Sequence, residues 1–459
     1  MKFSLKIVKR DYFLALLLLI FLLFSFFRFY NLDKRVIFDW DQERDAFAIK
    51  RILIEKRLTL IGPRVLGPEG FFLGPYFTYL LAPFYFLTRL HPKAMVFFLI
   101  VYNFGFFALT FLVLKKLFNH SIALIFLLIW SLHPGLIGID TIVWNPILVS
   151  LVIIGVWYLV SQSQWFLTGI LLGLGVNFHF QMIFLLPFYL SFLFFEGGKT
   201  VFKKLAVSFV GFLIPFLPLL VFDLRHNFLN FRLLSDFISK KGEAFNGLAW
   251  LPVWKNVAVG FIGKDTPFLL MAFYFLPLLI ALYLLRRETE KFKQKFFLAT
   301  IILWLVFPFG FTFFGQRPSE YYFNFLYPFL ILLFAYFLLK IIKDWRLIFL
   351  LLLLFFFFRI DQLKAGLQPN SLGSFYKEKV VQRIDEIGQG KKFNVSFSVP
   401  LGLDTGYRYL LEFYQIKQSQ DPDDPLFQIV IPPQKENELF GRIGLQVPHS
   451  FQQQDDGVE

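Results

Sequence analysis

Long apolar stretches broken by short polar segments run through most of this chain. Runs dominated by Leu, Phe, Ile and Val lie near 12–30, 94–114, 121–138, 146–160, 164–178, 182–195, 205–222, 266–285, 296–314, 321–339 and 346–358. A bilayer-crossing helix needs about 20 predominantly apolar residues. Several runs are shorter than that, but their number and spacing predict an all-α polytopic membrane protein with about 11 transmembrane helices. One further stretch, PYFTYLLAPFYFLTRL (75–90), is long enough for a tilted span but is interrupted by Pro75 and Pro83.

The basic residues assign the sides. MKFSLKIVKR flanks the first run, which ends in RFYNLDKR without a small-residue cleavage site, so an uncleaved signal anchor is expected. If 75–90 does not cross, then Lys115/Lys116, Lys199/Lys203/Lys204, Arg286/Arg287/Lys291/Lys293/Lys295 and Lys340/Lys343/Arg346 all fall on the N-terminal, cytoplasmic side. If it crosses, nearly all of them move outside. The stretch is therefore read as an interfacial or re-entrant helix in a long first external loop, about residues 31–93, and the C-terminus is placed outside.

Composition agrees with that reading. The 459 residues are 57% hydrophobic with a mean hydropathy of +0.61, which excludes a soluble protein. There is no cysteine, so disulfides and thiolate metal sites are excluded. A net charge of +14 would suggest nucleic acid in a soluble chain; here it belongs to cytoplasmic loops, and no nucleic-acid partner is expected. After Phe358 the character changes, with 11 Lys and Arg against 14 Asp and Glu over 359–459. Tyr376–Ile387 and Tyr407–Tyr414 read as helices, and Phe393–Val399 and Phe427–Ile431 as strands. The expected organisation is a membrane domain over 1–358, a small C-terminal extracytoplasmic α/β module over 359–448, and a disordered tail over 449–459.

This topology sorts the polar residues. FDWDQERD (38–45), GPRVLGPEG (62–70), DTIVWNP (140–146), NFHFQ (177–181), DLRHN (223–227) and GQRPSEYY (315–322) fall outside, while the cytoplasmic side receives little but basic punctuation. Acidic, His, Asn and Tyr residues concentrated on one face suggest an active site opening outward. Residues 42–57 have helical character, with Ala46, Ile49 and Leu53 on one stripe and Asp41 where an N-cap would sit. Asp41 and Asp45, four apart, would share a face. The plainer alternative makes Asp41 a helix cap, Asn145 a turn residue before Pro146, His179 a packing histidine, and Arg225 and His226 headgroup anchors.

These motifs resemble the GT-C class of membrane glycosyltransferases. The resemblance rests on an N-terminal anchor, an acidic D-x-x-R-D motif at Asp41-Gln42-Glu43-Arg44-Asp45, a first external loop with juxtamembrane helices, and a polar motif before Pro146. It covers roughly residues 10–340. It points to the bacterial branch of the protein O-mannosyltransferase and lipid A aminoarabinose transferase superfamily, and hence to the plasma membrane. In that family an Asp at the start of the first juxtamembrane helix is catalytic, and Asp41 matches it. Gln42 stands where the family often has Glu, so a divalent metal on that pair is not expected. Asn145 stands where an Asp is common, with Asp140 the nearest acid. His179 and Gln181 occupy a region where several relatives carry Lys. Arg317, Pro318, Tyr321 and Tyr322 match a late tyrosine motif.

The resemblance implies transfer of a sugar from a polyprenyl-phosphate donor to an extracytoplasmic glycolipid, polysaccharide or protein, with inversion. Cleaving the C1–O bond puts charge on a lipid phosphate, which cations stabilise, and an acceptor hydroxyl needs a base. Asp41 is the expected base and Asp140 a second catalytic acid. Asp39, Arg44, Asp45, Arg64, Asn145, His179, Arg225, His226, Arg317, Tyr321 and Tyr322 are the expected substrate contacts. A transporter or flippase of lipid-linked sugars is the alternative. It would be expected to carry charges inside its spans and paired broken helices. The few charges within these runs and the one-sided polar residues favour an enzyme.

Overall fold

The computed structural model describes residues 2–65, 70–195, 197–198, 200–242, 254–255, 258–259, 261–262, 266–312, 320–419 and 421–452. Each apolar run is a helix or a chain of helical turns. They are α1 (Lys2–Phe29), then α2 (Trp40–Ile54) and α3 (Tyr76–Leu87) in the first loop, then α4 (Ala94–Leu117), α5 (His120–Leu132), α6 (Val149–Ser161), α7 (Trp165–Phe178) and α8 (Leu186–Phe195). There follow α9 (Val201–Leu213), continued by α10 (Leu217–Arg225), then α11 (Leu229–Gly242), α12 (Pro267–Arg287), α13 (Lys291–Thr312), α14 (Tyr327–Ile342) and α15 (Trp345–Phe357).

Among the described residues, four stretches are long and apolar enough to cross a bilayer: Tyr12–Phe29, Ala94–Leu117, Val201–Arg225 and Tyr321–Ile342. Others are shorter, α5 and α6 having 13 residues each. At 1.5 Å per residue such a helix covers only about 20 Å. The eleven expected runs are therefore all helical, and they differ in length: α12 and α13 have 21 and 22 residues, α5 and α6 only 13 each. The stretch 75–90 is indeed helical: α3 continues through Pro83 and packs on α2 and α4, burying Phe77, Leu81 and Tyr85.

Two contacts show how the bundle closes. Helices α7 and α9 meet through glycines: a Cβ on Gly169 would lie 2.0 Å from the Ser208 carbonyl oxygen, and one on Gly211 would lie 2.3 Å from that of Phe166. Backbones this close belong to small-residue membrane packing. At the other side Arg28, fully buried at the end of α1, donates from Nε and Nη2 to Asp140 Oδ2 (3.0 and 2.7 Å) and to the Ser131 and Trp130 carbonyls. Trp130 Nε1 donates to the same carboxylate oxygen (2.8 Å). This network ties α1 to the end of α5 and to the loop beyond it.

The C-terminal module has α16 (Ser374–Gly388), β1 (Asn394–Ser398), α17 (Tyr407–Phe413), β2 (Leu426–Val430), β3 (Glu438–Phe440) and β4 (Ile443–Gln446). The sheet order is β1-β2-β4-β3. β1 and β2 are parallel with Val395 opposite Phe427, while β4 is antiparallel to β2 and β3, with Leu445 opposite Ile429 and Gly444 opposite Leu439. Two helices and two strands match the sequence reading; the β3–β4 hairpin was not expected. In the expected tail, His449–Gln452 form a helical turn with Phe451 buried, and the residues beyond Gln452 lie outside the described ones.

The module rests on the first loop. Asn370 N–H donates to the Lys34 carbonyl and Ser374 N–H to that of Val36 (2.9 Å each). Tyr409 Oη donates to the Leu90 carbonyl (2.7 Å). Module and first loop thus share one side of the membrane bundle.

Candidate active site

FDWDQERD forms the N-terminal turns of α2, and the register differs from the expected one. Asp39, not Asp41, is the N-cap; its N–H donates to Gln42 Oε1 at 3.0 Å. Gln42 Nε2 donates to the Val143 carbonyl at 2.7 Å, joining α2 to the 140–146 loop. A glutamate here would face that carbonyl without a proton to offer, so this buried bridge requires the amide. Ala46 and Ile49 are buried, as their spacing predicts.

The four acids fall on two faces, because residues two apart on a helix differ by about 200°. Asp39 and Glu43 turn to the C-terminal module: Asp39 Oδ1 accepts from Lys377 Nζ (2.5 Å), and Glu43 Oε1 from the Tyr409 N–H (2.9 Å). Asp41 and Asp45 share Arg44, whose Nη1 donates to Asp41 Oδ1 (2.6 Å) and whose Nε donates to Asp45 Oδ1 (2.9 Å). Asp45 is buried and Asp41 half-exposed. Burial pushes the Asp45 carboxyl up to about 6 against the opposing pull of Arg44.

Asp41 and Arg44 open onto a pocket of about 120 Å³, lined also by Arg64, Trp144, Asn145, His179, Tyr321 and Tyr322. Five separate stretches meet there. Arg64 sits on a short hairpin held by the Gly62 N–H to Leu73 and Leu73 N–H to Pro63 carbonyl bonds; its Nε donates to the Gly70 carbonyl (2.7 Å) and its guanidinium lies over Phe72. Asn145 Nδ2 donates to the Phe178 carbonyl, which ties the 140–146 loop to the end of α7. His179 is edge-on to Tyr321 and Tyr322, with centroids 5.5 and 5.2 Å away, and its Nδ1 accepts from the Gln181 N–H. Burial lowers this imidazole to about 3, so it is neutral, with Nε2 as its donor. With its side-chain amide assigned so that Nε2 faces them, Gln181 donates to the Tyr321 and Tyr322 carbonyls (2.9 Å each) and closes the wall. Two cavities of about 350 and 340 Å³ lie elsewhere in the bundle; neither is lined by a carboxylate.

Seven expected site residues therefore converge: Asp41, Arg44, Arg64, Asn145, His179, Tyr321 and Tyr322. Asp45 stands behind them on Arg44. Asp39 faces the module instead. Asp140 does not line the pocket; it is 2% exposed and engaged by Arg28 and Trp130. Arg225 and His226 are exposed at the end of α10, with the His226 ring stacked on Phe222. The turn they occupy has a supporting part: Asp223 Oδ1 accepts from the Asn230 N–H (2.6 Å), and Asn230 Oδ1 accepts from Phe72 N–H (2.6 Å), which anchors the Arg64 hairpin. Arg317 lies outside the described residues. Trp144 was not singled out in the sequence. It packs on Tyr321 (5.0 Å), and its indole N–H has no acceptor among the described residues. Its place inside the DTIVWNP motif was the available signal.

Among the described residues, the pocket does not gather a set of metal ligands. Among the described residues, no three His, Asp or Glu side chains gather at one point. Asp41 is paired with a guanidinium, and Gln42 is spent on the cap and on Val143.

No protein-family model matches the chain, and no curated protein matches it in sequence. Among solved structures it is similar to the oligosaccharyltransferase of Archaeoglobus fulgidus crystallised with zinc and sulfate, at 14% identity and a TM-score of 0.50. That match covers 86% of this chain and 61% of that one, so the chain spans about three-fifths of that protein's length. It is also similar to archaeal oligosaccharyltransferase AglB from Archaeoglobus fulgidus in complex with an inhibitory peptide and a dolichol-phosphate, at 12% identity and a TM-score of 0.51, covering 92% of this chain and 70% of that one. The fold is similar to that of these archaeal oligosaccharyltransferases. With its long apolar helices, the chain is an integral membrane protein.

Proposed function

We propose that this protein is a membrane glycosyltransferase that moves a sugar from a polyprenyl-phosphate donor to an extracytoplasmic hydroxyl acceptor, with Asp41 as general base. The observation that carries the reading is the single pocket that gathers Asp41, Arg44, Arg64, Asn145, His179, Tyr321 and Tyr322 in a chain of this fold. The acceptor oxygen attacks the anomeric carbon, its proton passes to the Asp41 carboxylate, and the electron pair of the breaking C1–O bond goes to the lipid phosphate. A single displacement of this kind inverts the anomeric centre. Arg64, on the hairpin wall of the same pocket, is the cation for the phosphate, and the neutral His179 N–H and the Trp144 indole N–H are donors for sugar or phosphate oxygens. Arg44 and Asp45 hold the base in place. The donor's lipid tail confines the reaction to the bilayer edge, and this reading puts α2 and the hairpin there.

The test is to give the purified protein a panel of polyprenyl-phosphate sugars and, separately, nucleotide sugars, with a membrane extract as acceptor. Transfer is expected from the lipid-linked set. Robust transfer from a nucleotide sugar alone would remove the donor assignment.

A further inference from the structure

The side of α2 that faces away from the pocket is held by a buried ammonium. Lys377, in the first turn of α16, is 1% exposed. Its Nζ donates to the Phe38 carbonyl (3.0 Å), to Asp39 Oδ1 (2.5 Å) and to the Thr405 carbonyl (2.7 Å). An ammonium has three protons, and here each meets an oxygen, two of them from the N-cap of α2 and one from the module. The Tyr407 ring lies 5.3 Å from the same nitrogen. Gly406, at φ +88°, permits the approach: a Cβ there would lie 2.0 Å from the Phe38 carbonyl oxygen.

Further links run in parallel. Tyr409 N–H holds Glu43, Lys50 pairs with Glu412, and Tyr409 Oη binds the Leu90 carbonyl. Every acid of FDWDQERD that does not serve Arg44 is thus bound by the C-terminal module. The pocket's other walls, at Arg64, Asn145, His179 and Tyr321, belong to segments held by different contacts.

We propose that Lys377 is a positioning residue for transfer: through Asp39 and Phe38 it fixes the first turn of α2, and with it the direction in which Asp41 presents its carboxylate. The proposal rests on the assignment of Asp41 as base. A carboxylate displaced by about 1 Å can cost roughly a hundredfold in rate while ground-state binding persists. Losing the clamp should therefore lower kcat and leave the donor KM nearly untouched.

The experiment uses the full chain in nanodiscs, with Arg51→Cys on α2 carrying a nitroxide; the protein has no cysteine of its own, so the label has one address. Lys377→Met removes the ammonium and keeps much of the side chain's length. Increased label mobility, a kcat lowered at least tenfold and a donor KM within twofold are expected. Asp39→Asn weakens the clamp while leaving Lys377 its two carbonyls, and it should move both readouts in the same direction by less; it decides the matter if Lys377→Met does not fold. Wild-type mobility and wild-type kcat in a folded Lys377→Met protein would overturn the proposal, as would an equal fall of kcat in Lys377→Met with the label still immobile. Asp41→Asn is measured alongside. If that variant transfers sugar at the wild-type rate, the base assignment fails, whereas the label readout in Lys377→Met still judges the clamp.

Discussion

Arg44 Nη1 lies 2.6 Å from Asp41 Oδ1, and the same guanidinium binds the buried Asp45 behind it. One cation between two carboxylates leaves the group with a net negative charge when both are ionised. That charge sits at the mouth of the pocket, on the half-exposed Asp41. The Asp41 carboxylate is held by Arg44 on one side and lines the pocket on the other. The four acids thus divide their contacts: Asp39 and Glu43 bind the C-terminal module, and Asp41 and Asp45 share Arg44.

Asp41→Asn keeps the side chain's shape and an oxygen for Arg44, and removes the basicity. Because Asp39 is the N-cap, α2 should form as before. A lost general base typically costs about 10²–10⁴ in rate. Transfer measured with a polyprenyl-phosphate sugar should fall by that amount at unchanged expression and melting midpoint. Glu43→Gln, on the module face, should cost far less. Near wild-type transfer by Asp41→Asn would mean that the residue is not the base.

Asp45 makes stability depend on pH in a definite direction. Its carboxyl is raised to about 6 by burial, above an ordinary Asp value of about 3.9. Between those two values the folded protein holds a proton that the unfolded chain has released, so this contribution is full below about pH 4 and lost as pH rises through about 6. Asp45→Asn removes the titration. The wild-type melting midpoint, minus that of the variant, should therefore decline between about pH 4 and 6.5 and then level off. A difference that rises over that interval would contradict the assignment.

Sidedness can be read with single cysteines, since none is present to interfere. The first loop and the C-terminal module pack together, so the segments between them must cross an even number of times. Ten crossings with α3 uncounted satisfy this; counting α3 as well does not. Arg51→Cys should react with a membrane-impermeant maleimide added outside intact cells, and Lys116→Cys only after permeabilisation. The reverse pattern would invert the positive-inside reading and move the pocket to the cytoplasm.

What the sequence disclosed depended on range. The stripe through Ala46 and Ile49 was legible because helical periodicity is local, and the converging polar loops were legible because positive charge ordered the spans. The cap was misplaced by two residues because acids alternate at 39, 41, 43 and 45, and Asp39 suits an N-cap as well as Asp41. β3 and β4 have only 3 and 4 residues around Gly441, too few for alternation to show. Lys377 is separated from Asp39 by 338 residues, and Arg28 from Asp140 by 112. No local pattern reports such pairs, and a carboxylate before a polar turn reads the same whether it meets substrate or a buried guanidinium.

Asp140 is the sharpest case. In the sequence it was a candidate acid; in the structure its Oδ2 accepts from Arg28 Nε and Nη2 and from Trp130 Nε1. A carboxylate enclosed in this way is poorly placed to accept a substrate proton, whereas it compensates a fully buried guanidinium at the end of α1. Removing one partner of a buried pair is costly, roughly 3–5 kcal/mol, because the other charge remains without compensation. Asp140→Asn should lower the melting midpoint and the yield of inserted protein. Arg28→Met combined with Asp140→Leu removes both charges and should recover part of that loss, since apolar replacement of a whole pair is often neutral or stabilising. The decisive readout is transfer per folded molecule. For the double variant it should stay within a fewfold of wild type, in contrast to Asp41→Asn. A well-folded double variant without transfer would return Asp140 to the chemistry and require a path from the pocket to its carboxylate.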